Sequence, residues 1–285
     1  MLGTPPPPTP PPGIGSCENY TRHATPARVA GGAGSELSYP ARLESRGSVD
    51  RLLSDGTWWY AGGLFDTVNG VRRPALFRYS AGGAVDANWD ARLGGPEPFV
   101  RAIEFAPGGA NGPGILVGVQ FLTPAEIPPA RNVANLARIN LADASTQTEF
   151  VSNPNDAVNA ILRWNGGFLI GGEFTGVQPQ GYSATLPFTR LGWVDDTGAP
   201  GTGPDLAPNA AVNVLLASQG KIYVGGDFTS LQNGGFAANR RRLFRMDGLF
   251  GIDLGWNPLP NGPVLALEGD ASRVFAGGQF TRIGR

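Results

Sequence analysis

Carboxylates are the only side chains with which this chain could assemble a catalytic acid–base pair. Its one cysteine, Cys17, and its one histidine, His23, both precede residue 25. An intramolecular disulfide, a Cys/His zinc site, a Ser-His-Asp triad and a Cys-His dyad are therefore excluded. Glycoside hydrolysis needs only two acids, roughly 5 to 10 Å apart. The acids at recurrent positions are Asp50, which follows a repeated valine, and Glu173 and Asp227, which precede a repeated phenylalanine. At the first position the other copies carry Arg101, Asn159, Asn213 and Leu265, and at the second Leu64, Gln120 and Gln279. With one acid among five at the first position, these carboxylates read as solvated groups. No catalytic, cofactor-binding or metal-ligating residue is assigned, and no cofactor is expected.

Two further patterns invite a chemical reading. The glycine-rich stretch Gly108-Gly109-Ala110-Asn111-Gly112 has no following Lys-Ser/Thr and no helix to supply a dipole, so it does not match a phosphate cradle. Asn239-Arg240-Arg241-Arg242 is the one basic cluster, and adjacent cations suit a phosphate or an acidic glycan. Its simpler reading is a solvated loop between strands. The whole chain balances 22 basic against 23 acidic residues, net charge -1, so no overall field draws it to nucleic acid.

The elements that would hold such groups repeat. Gly-Gly-x-Phe occurs at Gly62 to Phe65, Gly171 to Phe174, Gly225 to Phe228 and Gly277 to Phe280, with a degenerate copy, Gly118-Val119-Gln120-Phe121. The phenylalanines are 56, 53, 54 and 52 residues apart. Val49, Val158, Val212 and Val264 each lie 16 residues before their phenylalanine, with Leu52, Ile161, Leu215 and Leu267 three positions on. Val100 and Ile103 are the fifth copy, displaced by the loop around Pro107 to Pro113. Asp55-Gly56, Asn165-Gly166 and Gln219-Gly220 fall between these anchors and mark hairpin turns. An arginine in an apolar setting follows 13 to 17 residues after the phenylalanine, as Arg78, Arg138, Arg190 and Arg245, and reads as part of a third strand. An acidic-aromatic step comes next, Asp86 with Trp89 and Asp253 with Trp256.

Three or four short strands every ~54 residues, without helical periodicity, predict an all-β chain of β-propeller type. About five blades of three to four antiparallel strands are expected, with the signature phenylalanines buried between them. A β-helix coil is shorter, and an immunoglobulin-like unit needs nearly twice this length. The glycine pairs read as architecture that permits a bulge or close backbone approach.

The succession V-x-x-[LI], turn, G-G-x-F-[TD], then [LF]-x-R-[LIYM] resembles the bacterial delta-60-repeat family of β-propellers, and is similar to the repeats of fungal cortical polarity-marker propellers. The resemblance spans roughly residues 45 to 285 and implies a fold, with a secreted or cell-surface setting and no defined activity.

Residues 1–35 form a Pro/Gly-rich tail, with PPPPTPPP across positions 5–12, expected to act as an extended spacer; residues 36–285 form the repeat domain. The tail shows no basic and apolar signal-peptide pattern. One lysine among the 22 basic residues fits a GC-rich bacterial coding sequence. No apolar run reaches the length of a membrane span. Together these features predict a non-catalytic binding or scaffold propeller, outside a bacterial cell, contacting a protein or glycan through blade loops. The alternative is a carboxylate-dependent glycoside-active enzyme at the axial funnel. Because the last repeat stops five residues after Phe280, residues 38–44 are expected to supply its missing outer strand and close the ring; the competing expectation is a fragment of a longer repeat array, ended mid-blade.

Overall fold

A computed structural model describes residues 43–44, 47–94, 97–108, 112–120, 135–150, 152–178, 188–204, 206–232 and 240–284. Cys17, His23, Phe121 and the Pro-rich tail lie outside the described residues. All regular structure among those described is β-strand. The repeat unit is a meander. Ser48–Ser54 (β2), Trp58–Leu64 (β3) and Leu76–Ser80 (β6) form the first sheet. Phe99–Ala106 (β7), Gly114–Gln120 (β8) and Leu136–Asn140 (β9) form the second. Val158–Trp164 (β10), Gly167–Gly172 (β11) and Leu191–Asp195 (β12) form the third, and Val212–Ser218 (β13), Lys221–Gly226 (β14) and Leu243–Met246 (β15) the fourth. Val264–Gly269 (β16) and Val274–Gly278 (β17) form a two-stranded fifth sheet. In place of a fourth strand, the third strand of each of the first four sheets carries one bridge: Tyr79 to Val85, Ile139 to Thr146, Val194 to Pro200 and Met246 to Ile252.

The five first strands share one irregularity. Each slips register immediately after its anchoring valine, between Val49 and Arg51, Val100 and Ala102, Val158 and Ala160, Val212 and Val214, and Val264 and Ala266. A β-bulge leaves one residue outside the ladder and re-aims its side chain. That residue is Asp50, Arg101, Asn159, Asn213 or Leu265.

The glycine pair seats this strand from both sides. On the second glycine of the pair, a Cβ would fall about 2 Å from the carbonyl oxygen of the residue before the anchoring valine: 2.1 Å from Ala157 O at Gly172 and 2.2 Å from Ala211 O at Gly226. On the first glycine, a Cβ would strike the valine of the following sheet: Val100 Cγ1 at 2.4 Å from Gly62, Val212 Cγ1 at 2.5 Å from Gly171, and Val264 Cγ1 at 2.7 Å from Gly225. The first glycine is thus a socket for the next repeat's valine. Val100, Val158, Val212 and Val264 are fully buried, as are Phe174 and Phe228, with Phe65 nearly so. Phe280, in the last sheet, is only half-buried.

One expectation needs correction. Arg190 is not the counterpart of Arg78, Arg138 and Arg245. Those three pair across strands with Tyr60, Leu116 and Tyr223, and in the third sheet the partner of the equivalent Leu169 is Trp193. Arg190 instead aligns with Ala75, Asn135 and Arg242, residues in the left-handed region at φ 63°, 60°, 62° and 66° respectively. There the backbone turns back on the signature phenylalanine. The N–H groups of Ala75, Arg190 and Arg242 donate to Phe65, Phe174 and Phe228, and their carbonyls accept from Gly63, Gly172 and Gly226. A local match to the apolar-x-Arg pattern concealed a shift of three positions.

The closing strand also lies elsewhere. Leu43–Glu44 (β1) pairs with Thr67–Val68 (β4), which turns through Asn69-Gly70 into Val71–Arg72 (β5). This small sheet belongs to the first repeat. Residues 38–42 lie outside the described set, and no described strand joins the fifth sheet to the first.

Candidate functional site

The five bulged residues converge. Asp50, Arg101, Asn159, Asn213 and Leu265, with Arg51 and Phe99, line one open cavity of about 230 Å³. Residues drawn from all five sheets thus meet at one place. A second space continues from it, sharing Arg51, Asn159, Asn213 and Leu265, and is walled by Ile103, Ile161, Leu215 and Leu267. The site is therefore polar where the bulges point and apolar where the third residue after each valine points.

Hydrogen bonds carry the polar rim from sheet to sheet. Arg101 donates to Asn159 Oδ1 at 3.3 Å and to Gln120 Oε1, and pairs with Glu173 at 3.7 Å. Its guanidinium stacks 4.9 Å from the Phe99 ring centre. Asn159 Nδ2 donates to Val212 O at 3.4 Å, and Asn213 Nδ2 to Val264 O at 3.3 Å and to Asp227 Oδ1 at 3.0 Å. Each asparagine thus ties its own bulge to the valine carbonyl of the following sheet. Asp50 accepts from Ser48 Oγ at 3.1 Å, and Arg51 donates to the Asp50 carbonyl at 2.8 Å. Burial pushes the Arg51 guanidinium below its ordinary pKa; the charge of Arg101 acts in the same direction and Asp50 opposes it.

All three candidate acids of the sequence reading reach this region, and each is engaged. Glu173 meets Arg101, Asp227 meets Asn213 and Asp50 meets Ser48. Among the described residues no group of three or more His, Cys, Asp or Glu side chains could hold a metal ion.

The basic cluster does not form a free cationic patch. Arg240 is buried and donates to the carbonyls of Asp253 and Leu254 at 3.2 and 3.0 Å, and Arg242 donates to Asp227 O at 2.8 Å. Two of its three guanidiniums are thereby committed to backbone. The strand-three arginines are structural in the same sense. Arg78 pairs with Asp86 at 2.6 Å and lies 5.3 Å from the Trp89 ring, while Arg245 pairs with Asp253 at 2.7 Å and lies 5.2 Å from Trp256.

Sequence reasoning missed an asparagine clip on the loops at one end of the sheets. Asn155, Asn209 and Asn261 each stand three residues before a valine. Asn209 Oδ1 accepts the N–H of Thr229 and of Ser230, and its Nδ2 donates to Thr229 Oγ1 at 3.0 Å. Asn155 repeats this with Thr175 and Gly176, and Asn261 with Thr281 and Arg282. The identical spacing of Asn to Val, and of Thr to the preceding Phe, was the available signal.

A family model described as "Domain of unknown function (DUF5122) beta-propeller" matches residues 53–88, which run from the end of β2 to the step before Trp89. That match supports a β-propeller repeat family for this unit. No curated protein matches the chain. Among solved structures, the crystal structure of the computationally designed Ika8 protein is similar at 11% identity, covering 86% of this chain and 72% of that chain with a TM-score of 0.46.

Proposed function

We propose that the five sheets are five blades of a β-propeller that acts as a non-catalytic binding or scaffold module, displayed outside a bacterial cell and contacting a protein or glycan. The ligand meets the blade loops and the axial mouth. One observation carries this reading: five bulged residues present amide, guanidinium, carboxylate and apolar groups to one open cavity, beside the Phe99 ring. An aromatic face next to paired donors and acceptors suits a sugar ring, whose hydroxyls need both and whose C–H face stacks on an aromatic. The same acids that an enzyme would need are each held by a neighbouring donor.

A glycan array, with a parallel pull-down of surface proteins, tests the proposal. Binding should weaken about tenfold or more for Phe99→Ala and for Arg101→Leu, since hot-spot side chains carry most of the affinity. A ligand that binds both variants as tightly as the parent would move the site away from the axis. Hydrolysis of a bound glycan, abolished by Asp50→Asn, would instead favour the carboxylate-dependent enzyme.

A further inference from the structure

The second residue after each anchoring valine stands opposite the first glycine of its own sheet. In four sheets it is small and apolar, as Ala102, Ala160, Val214 and Ala266; in the first it is Arg51. Those four residues line the apolar space of about 240 Å³ that continues from the bulged residues, and so does Arg51. Among the described residues, Arg51 is the only charged side chain on that wall.

A guanidinium on an apolar wall is costly unless a partner neutralises it. Arg51 is half-buried and forms no ion pair among the described residues. Its one hydrogen bond goes to the Asp50 carbonyl, which leaves most of its five N–H donors uncommitted. The charge of Arg101 disfavours it further, and only Asp50 opposes that effect. The wall beside it is open. Ile103, Leu215 and Leu267 are half-buried, and Leu265 is 44% exposed. A concave apolar surface with one converging charged group has the make-up of a small-molecule site.

We propose that this space binds a small monocarboxylic acid with an aliphatic chain. The carboxylate accepts from the Arg51 guanidinium, whose planar fork matches its two oxygens. The chain lies along Ile103, Ile161, Leu215 and Leu267. At about 240 Å³ the space falls short of the roughly 300 to 1,000 Å³ of drug-sized pockets, so the acid is a short one. Pairing neutralises the lone cation, and the chain removes apolar wall from water; one molecule must do both. This site stands without the glycan reading of the polar mouth.

Calorimetric titration of the full chain with octanoate, octan-1-ol and acetate tests this. Octanoate carries both features, octanol only the chain and acetate only the charge. Octanoate should bind about tenfold tighter than either, or more, as a charge-assisted pair predicts. Hexanoate should bind more weakly than octanoate, by up to about fourfold for each buried methylene lost. Arg51→Ala gives the first sheet the residue that Ala102, Ala160 and Ala266 supply elsewhere, so the variant should keep the parent's melting temperature. In it octanoate should fall to the affinity of octanol, with octanol unchanged, and Arg51→Lys should restore part of the difference. Octanoate that does not bind, that binds no better than octanol, or that binds Arg51→Ala as tightly as the parent overturns the proposal. Acetate binding as tightly as octanoate would mean an adventitious ion only, which also overturns it. An oligogalacturonate that binds through Arg51 where octanoate does not would put the carboxylate on a glycan, overturning this site while the proposed function stands. Arg51-dependent octanoate binding with a blank glycan array would uphold this site and remove the glycan reading.

Discussion

Replacing Gly171 by alanine probes the joint between two sheets with one methyl group. The new Cβ would lie 2.5 Å from Val212 Cγ1 and 3.1 Å from Val212 Cβ. Val212 is fully buried and locked in register opposite Gly226, so it has no room to swing away. The methyl must force the valine off its rotamer or push the sheets apart, which costs about 1 to 3 kcal/mol. Alanine also narrows the unfolded ensemble, which offsets about 0.4 to 1 kcal/mol. The net loss expected in equilibrium urea unfolding is therefore about 0.5 to 2 kcal/mol. Val212→Ala alone should lose about 2 to 3 kcal/mol through its deleted methyls and the cavity left behind. In the double variant the alanine methyl occupies part of that cavity, so the combined loss should fall short of the sum by about 1 kcal/mol. Gly82→Ala is the control: its Cβ would meet only Ser80 Oγ at 3.8 Å. That change should stay within about 0.5 kcal/mol of the parent. If Gly171→Ala matches the control, or if the double variant is additive, the valine-in-glycine socket is not what joins the sheets.

Phe174→Ala should cost about 3 to 5 kcal/mol in the same assay, since it deletes a fully buried ring; a loss below about 1 kcal/mol would deny it a core role. Asn209→Ala should cost about 1 to 2 kcal/mol and speed hydrogen exchange at the Thr229 and Ser230 amides, whose acceptor it removes; unchanged exchange would mean that the clip is idle. The Arg163 guanidinium holds the Asp196 carboxyl below its ordinary pKa. A carboxyl depressed in the folded state stabilises fully above its unfolded pKa, about 3.9, and that contribution is lost as pH falls through the folded value. Asp196→Asn should accordingly lower stability at pH 7 and shrink the acid-induced loss below about pH 4; an acid limb as steep as the parent's would refute the linkage.

The repeat was legible in the sequence because each of its signals has a distinct physical job. Valine plugs, glycine receives and phenylalanine fills, and none of these can move along the chain without losing its partner. The ring of residues after the valines was also readable from spacing alone, whereas the bulge that turns them inward was not, since a bulge is a property of two strands and spacing describes one. Arg190 was misplaced because apolar-x-Arg recurs three positions away from the true register, and only backbone conformation separates a left-handed residue from a strand residue. The asparagine clips escaped notice because their partners lie 20 residues downstream, across a hairpin. The expectation that residues 38–44 complete the last sheet failed for Leu43–Glu44 because the segment Thr67 to Arg72 folds through Asn69-Gly70 into a hairpin of its own, offering a nearer edge. A nearby edge costs less chain ordering than a distant one.

The bulges separate two demands that most strand positions must meet at once. A residue inside the ladder is chosen by its neighbours, through cross-strand pairing and by the face it must bury. Asp50, Arg101, Asn159, Asn213 and Leu265 stand outside the ladder, and four different side chains occupy the same backbone geometry at these five positions. The cavity lining behaves like a five-place combination dial mounted on an unchanging lock: any place can be reset without rebuilding the frame. The chemistry of the cavity wall can thus be rewritten by single substitutions, at a stability cost set by the hydrogen bonds that each residue contributes.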